Sequence, residues 1–205
     1  MKTIETENNP LEIWLVRHGE TIFNIKGLVQ GWSDSPLTNN GQLQTAHLGK
    51  KLKSRHLNFS SIYSSDLIRC LDTAEILRNN INPHIEIHSD KRLREINTGD
   101  GEGDSIKTHL KQYPYSLNIK KHPGTPNGEN WNDVFNRVIP AIKDIGECNL
   151  NNEKVLVVSH SMVIAGLICY LQNNDELISI PNNSVTILEY KNHNIYLKSN
   201  PLIYS

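Results

Sequence analysis

The chain has 205 residues, enough for one α/β domain with a substantial core or for such a core with a small insertion. Lys plus Arg number 21 against 22 for Asp plus Glu, a formal net charge of −1, so the basic excess that marks a nucleic-acid binder is missing. The longest apolar run, Met162 to Cys169, is too short to cross a bilayer, and the three cysteines, Cys70, Cys148 and Cys169, lie too far apart for a metal or redox pair.

These features predict a cytoplasmic protein with reduced, packed thiols and no membrane partner. The start, residues 1–10, is polar and acidic; it reads as a flexible tail with no signal peptide, followed by one domain over 11–205. Ile13-Trp14-Leu15-Val16 is a continuous apolar run that suits a buried parallel strand, and it feeds directly into Arg17-His18-Gly19. Thr38 is placed to cap a helix carrying Thr45, Leu48 and Leu52 on one face. Ser61 to Ser64 reads as a second strand. Ser65 is placed to cap the helix after it, whose stripe is Leu67, Cys70, Leu71, Ala74 and Leu77, with Arg69 off that stripe near the helix start.

Ile85 to His88 alternates as a strand. Residues 99–130 are rich in Gly, Pro, Asn and Lys, which predicts an inserted loop region with a short helix near 104–112. Trp131, Val134, Phe135, Val138, Ile142 and Ile145 form a helical stripe that contains Pro140, so a kink or an early end is expected there. Val155 to Val158 is the second strongly apolar strand, and it too runs to a histidine, His160. An apolar helix over Met162 to Leu171 and strands over Ser184 to Tyr190 and Asn194 to Lys198 complete the chain. The order predicts a three-layer α/β sandwich, a mostly parallel central sheet with helices on both faces. Ligands of such sheets bind beyond the carboxyl ends of the strands, and two histidines emerge at two such ends.

Phosphoryl dianions need fixed cations, and guanidinium forks match their oxygens in a way lysine cannot. Arg17 adjoins His18, and Arg69 begins a helix after another strand. A neutral imidazole attacks phosphorus through one ring nitrogen if a hydrogen bond fixes the other; the Gly19 carbonyl is the nearest acceptor, and flanking arginines keep His18 neutral. Glu95, in Leu93-Arg94-Glu95-Ile96, is the candidate acid for the leaving oxygen. Plainer alternatives exist: Arg69 as a surface partner of Asp66 or Asp72, and Glu95 as a carboxylate balanced by Arg92 and Arg94.

Five ordered segments carry a resemblance. They are Arg17-His18-Gly19-Glu20-Thr21 with Asn24 and Gln30-Gly31-Trp32; Tyr63 to Ala74; Leu93 to Asp100; Gly128 to Trp131; and Val157-Val158-Ser159-His160-Ser161 with Pro181 to Val185. Together the chain after residue 10 resembles the histidine phosphatase superfamily, the phosphoglycerate mutase-like family. The resemblance implies a phosphoglycerate mutase-like fold and a phosphohistidine mechanism. His18 would be the nucleophile, Arg17, Arg69 and His160 would hold the phosphoryl oxygens, and Glu95 would be the general acid and base. Asn24, Gln30, Gly31 and Ser161 would line the substrate side. It implies no metal and no cofactor, beyond a 2,3-bisphosphoglycerate primer if the reaction is a mutase's, and a small phosphorylated metabolite as partner; a homodimer is left open.

Departures from the family pattern are Thr98 and Gly101 where aromatics are common, which predicts a mobile loop over 99–103, and Ser161 in place of a glycine. Gln30 before Gly31 and the short chain favour a phosphatase over a mutase. A catalytically silent phospho-ligand-binding module and a metal hydrolase using His18 and His160 are the rivals from other classes. The segment Asp100 to Asp104 lacks the sixth-position glycine and twelfth-position acid of a calcium loop. The other histidines, His109 and His122 among them, are expected mostly in solvent.

Overall fold

A computed structural model describes residues 9–204; of the predicted tail, residues 1–8 lie outside the described residues. Six strands form one sheet: β1 (Leu11–Arg17), β2 (Ser61–Ser64), β3 (Glu86–Ser89), β4 (Lys154–Ser159), β5 (Val185–Lys191) and β6 (Asn194–Leu202), in the order β3-β2-β4-β1-β5-β6. The first four are mutually parallel, while β5 runs antiparallel to β1 and β6 antiparallel to β5.

The continuous apolar runs of β1 and β4 follow from burial on both faces. Ile13, Leu15, Val155 and Val157 point to one side, where α5 (Trp131–Cys148) and α6 (Ser161–Gln172) cover them. Trp14, Val16, Leu156 and Val158 point to the other, under α2 (Asn39–Ser54) and α3 (Ile68–Ile81). The predicted three layers are therefore present.

Local signals decided most boundaries. Thr38 caps α2 by accepting from the Gly41 amide at 2.8 Å, and Thr45, Leu48 and Leu52 are buried as their spacing predicts. Only glycine fits at position 41, because a Cβ would lie 2.3 Å from the Glu20 carbonyl oxygen. Other expectations change. Ser65 is not the cap of α3, which starts later, after Leu67; its hydroxyl meets His160 Nε2 at 2.8 Å and accepts from the Leu67 amide at 3.4 Å. Pro140 does not end α5, which continues to Cys148. The strand expected over Ile85 to His88 lies one residue on, and Cys148 is exposed rather than packed. A short helix, α1 (Ile22–Lys26), was not anticipated, although Thr21 and Asn24 build its capping box.

The insertion contains a 3-10 turn at Gly99–Gly101 and α4 (Ile106–Gln112). It is strapped across the strand ends at two places. The Ile106 amide donates to the Gly27 carbonyl at 2.9 Å and Val29 to Asp104 at 2.8 Å; on the far side Leu177 donates to Leu117 at 3.1 Å.

Candidate active site

Parallel pairing of β1 with β4 sets Arg17 opposite Ser159, and the ladder continues one step further, with the His18 amide donating to the Ser159 carbonyl at 3.0 Å. His18 and His160 consequently leave the sheet side by side, their rings 5.4 Å apart at a T-shaped angle. Both are buried. His18 Nδ1 lies 2.8 Å from the Gly19 carbonyl. A carbonyl oxygen only accepts, so Nδ1 carries the proton and Nε2 of the neutral ring keeps its lone pair. Burial, then Arg69, then Arg17 hold the His18 pKa well below the usual 6.5, so the imidazole is neutral near pH 7. Burial outranks the flanking arginines in this.

His160 is likewise held neutral, chiefly by burial and by Arg69. Its Nε2 contacts Ser65 Oγ at 2.8 Å and Cys70 Sγ at 3.4 Å. The Cys70 thiol is pushed up by burial and is inert.

Arg69 is 0 % exposed, although the apolar stripe of its helix predicted nothing of the kind. It pairs with neither Asp66 nor Asp72. Its Nη1 reaches Asp34 Oδ1 at 3.2 Å and the Ser33 carbonyl at 3.0 Å, and its Nη2 reaches the Gly31 carbonyl at 2.7 Å. Arg17 donates from Nη1 to the Ile180 carbonyl at 2.6 Å. The Nε–H of each arginine is buried without a hydrogen-bond partner among the described residues. Two oriented cationic donors beside a neutral imidazole suit a phosphoryl dianion.

Glu95 is not balanced by its neighbours. Arg94 pairs with Asp66 at 2.7 Å, and Arg92 with Asp90 at 2.8 Å and Asp144 at 2.7 Å. The Glu95 carboxylate sits at the start of α6, accepting from the amides of Met162 at 3.1 Å and Val163 at 3.2 Å, and from its neighbour Ile96 at 3.0 Å. Burial raises its pKa above 4.5 despite these amides and the two arginines, which pull the other way. Arg137, on α5, fixes the backbone beneath it by donating to the carbonyls of Arg92, Arg94 and Glu95 while paired with Glu129 at 2.7 Å.

Arg17, His18, Asn24, Gln30, Glu95 and Ser161 line one cavity of about 230 Å³. Arg69, His160 and Gly31 are not in that lining. Gly31 serves Arg69 through its carbonyl and allows a close approach, since a Cβ there would meet Glu102 Oε1 at 2.2 Å. Asn24 has a structural duty too: its Oδ1 accepts from Thr21 N and from Asn182 Nδ2, each at 3.1 Å. Gln30 Oε1 accepts from Thr21 Oγ1 at 2.9 Å, leaving its buried Nε2 unpartnered among the described residues. Among the described residues, no group of three or more His, Cys, Asp or Glu side chains is arranged to hold a metal ion.

Sequence reasoning missed four residues. Asn182 holds the His18 carbonyl at 2.9 Å. His109 lines the cavity and is 7 % exposed, and His122 is buried, where both were expected in solvent. Glu102 is the fourth. Its carboxylate accepts from the amides of Gly31, Trp32, Ser33 and Thr98 and from the Thr98 hydroxyl, at 2.7 to 3.2 Å. The loop over 99–103, expected to be mobile, is latched by these bonds.

A fold with a buried histidine and two guanidiniums at its parallel strand ends defines a class, and the comparisons name it. The model of the histidine phosphatase superfamily (branch 1) matches residues 13–200, so the chain belongs to that superfamily. The 2,3-bisphosphoglycerate-dependent phosphoglycerate mutase of Bartonella henselae is 32% identical over 173 residues, covering 80% of this chain and 84% of that one. The solved structure of Bacillus stearothermophilus YhfR superposes with a TM-score of 0.82 at 31% identity, covering 93% of this chain and 96% of that one. A mycobacterial glucosyl-3-phosphoglycerate phosphatase shares the fold, with a TM-score of 0.79 at 24% identity over 93% of this chain and 98% of its own. The proteins similar to this chain thus include mutases and phosphatases. No helix among the described residues is long and apolar enough to cross a membrane.

Proposed function

We propose that this chain is a phosphatase that hydrolyses a small phosphomonoester through a phosphohistidine on His18. The observation that carries the reading is the neutral His18 imidazole, its Nδ1–H held by the Gly19 carbonyl, beside two guanidinium Nε–H groups without an acceptor among the described residues. His18 Nε2 attacks phosphorus and the ester P–O bond breaks. Glu95, its carboxyl favoured protonated by burial, gives its proton to the departing oxygen. The Glu95 carboxylate then takes a proton from water, whose oxygen attacks the phosphohistidine, and inorganic phosphate leaves. Arg17, Arg69 and His160 stabilise the transferring group, as preorganised donors do. No metal or cofactor enters these steps.

Hydrolysis is favoured over mutase chemistry by a charge count. Among the described residues, Arg17 is the one Lys or Arg side chain lining the cavity. A mutase's phosphoglycerate acceptor brings a phosphoryl group and a carboxylate besides the group on the histidine, and these need cations of their own. The sequence relatives named as mutases support the second reading, and one experiment separates the two. With 3-phosphoglycerate, with and without 2,3-bisphosphoglycerate, a phosphatase gives no primed isomerisation, and it releases inorganic phosphate from p-nitrophenyl phosphate without a primer. Primed isomerisation without release would establish the mutase. If phosphate esters bind but p-nitrophenyl phosphate is not turned over between pH 4 and 9, the chain is a binding module.

A further inference from the structure

Resting on the phosphatase reading, we propose that the substrate is a monophosphate whose organic part is uncharged and largely apolar, selected by the inner face of α4 and the loops strapped to it. Ile106, His109 and Leu110 of α4 line the cavity, Ile106 still 47 % exposed, while Lys107 and Lys111 lie outside that lining, in solvent. Leu28, Val29, Leu117 and Met162 continue the apolar wall, interrupted by Ser116 and Gln30. The wall therefore presents mostly alkyl carbon, and the insertion's cations are turned to solvent.

An anion on the substrate's body finds no compensation there. Arg17 and Arg69 are committed to the phosphoryl end. His109 is the one titratable group of the α4 wall, and burial keeps it neutral against the pull of Asp104 and Glu102. A carboxylate placed against such a wall loses its hydration and gains no cation. Alkyl or aryl carbon loses only water. The volume of about 230 Å³ falls below the ~300 Å³ at the small end of ligand pockets, so the body is about the size of one ring or a short chain. The straps from Ile106 to Gly27 and from Leu177 to Leu117 hold this wall over the site, so its chemistry is a fixed filter.

A matched pair of esters tests this without changing leaving-group reactivity: n-pentyl phosphate and 5-phosphonooxypentanoate, the same chain with its terminal methyl replaced by carboxylate. The expected result is a kcat/KM for the pentyl ester at least about tenfold higher, carried mainly by KM. Leu110→Arg should narrow or invert that ratio by supplying the missing cation. If that variant does not fold, Ile106→Lys offers the same charge one turn earlier. Equal or faster release from the carboxylated ester by the unaltered enzyme overturns the inference and leaves the phosphatase reading standing. Release from neither ester nor from p-nitrophenyl phosphate overturns both.

Discussion

The two ends of the cavity are held by different physics. At the phosphoryl end, His18 and His160 follow adjacent parallel strands buried on both faces, and their spacing is set by the register of Arg17 against Ser159. At the other end, the insertion depends on a few backbone straps and on one carboxylate, Glu102, shared among five donors. Cores resist deformation because close-packed atoms have nowhere to go, whereas a hydrogen-bonded latch opens when one partner is removed. The chemistry is thus tied to the stability of the whole sheet. Selectivity is tied to local bonds that change without unfolding it.

The largest effect expected at the rigid end is from His18→Asn. Phosphatase turnover should fall by about 10⁴ or more with the melting transition retained. A variant keeping a few per cent of activity would show that the phosphoryl group never resides on His18.

Next comes Glu95→Gln, with a fall in kcat of about 10² to 10⁴ for esters with poor leaving groups. Its pH profile carries the sign. Burial raises the Glu95 pKa, so the protonated acid survives above the ordinary 4.5, and kcat declines as pH climbs through that raised value. His18 is depressed below 6.5, so its neutral form persists on the acid side of neutrality. Activity should therefore fall on the alkaline side as Glu95 loses its proton, and Glu95→Gln should remove that limb; a limb that survives assigns it to another group.

At the other end, Glu102→Ala should raise KM about tenfold while leaving kcat within a few-fold. Faster amide exchange at Gly31, Trp32 and Ser33 is the accompanying signature. A kcat loss as large as that of Glu95→Gln would erase the division between the two ends. The smallest effect belongs to Lys107→Ala on the outer face of α4, where kcat/KM should stay within about twofold, as for surface changes generally.

The same contrast governs what could be read beforehand. The runs Ile13 to Val16 and Val155 to Val158 announced buried parallel strands, and the histidines beyond them announced the site. The Gly19 carbonyl was found because it is adjacent in sequence. Arg69 could be placed near a helix start, but its burial depends on Asp34 and on carbonyls from the Gly31 to Asp34 loop, which periodicity cannot see. His109 and His122 carry no spacing signal, since their burial comes from contacts such as that between His109 and Gly101. Arg137 lies off the apolar stripe of its helix and carries no signal of its own; its guanidinium reaches back more than forty residues to the backbone under Glu95. Ser65 shows the opposite error: the helix it was expected to cap starts two residues later, and its hydroxyl serves His160 as well as the Leu67 amide.

Glu102 gives the latch a meaning for how such a protein can diversify. Three consecutive amides, from Gly31, Trp32 and Ser33, form the kind of concavity that binds an anion, and here the anion is supplied by the chain itself. The insertion behaves as a tethered ligand of the scaffold. Exchanging residues 99–130 for those of a relative would transplant a new specificity wall only if the incoming segment brings an acid to the same amides. A graft with that acid inherits a docked wall, and a graft without it inherits a loose one.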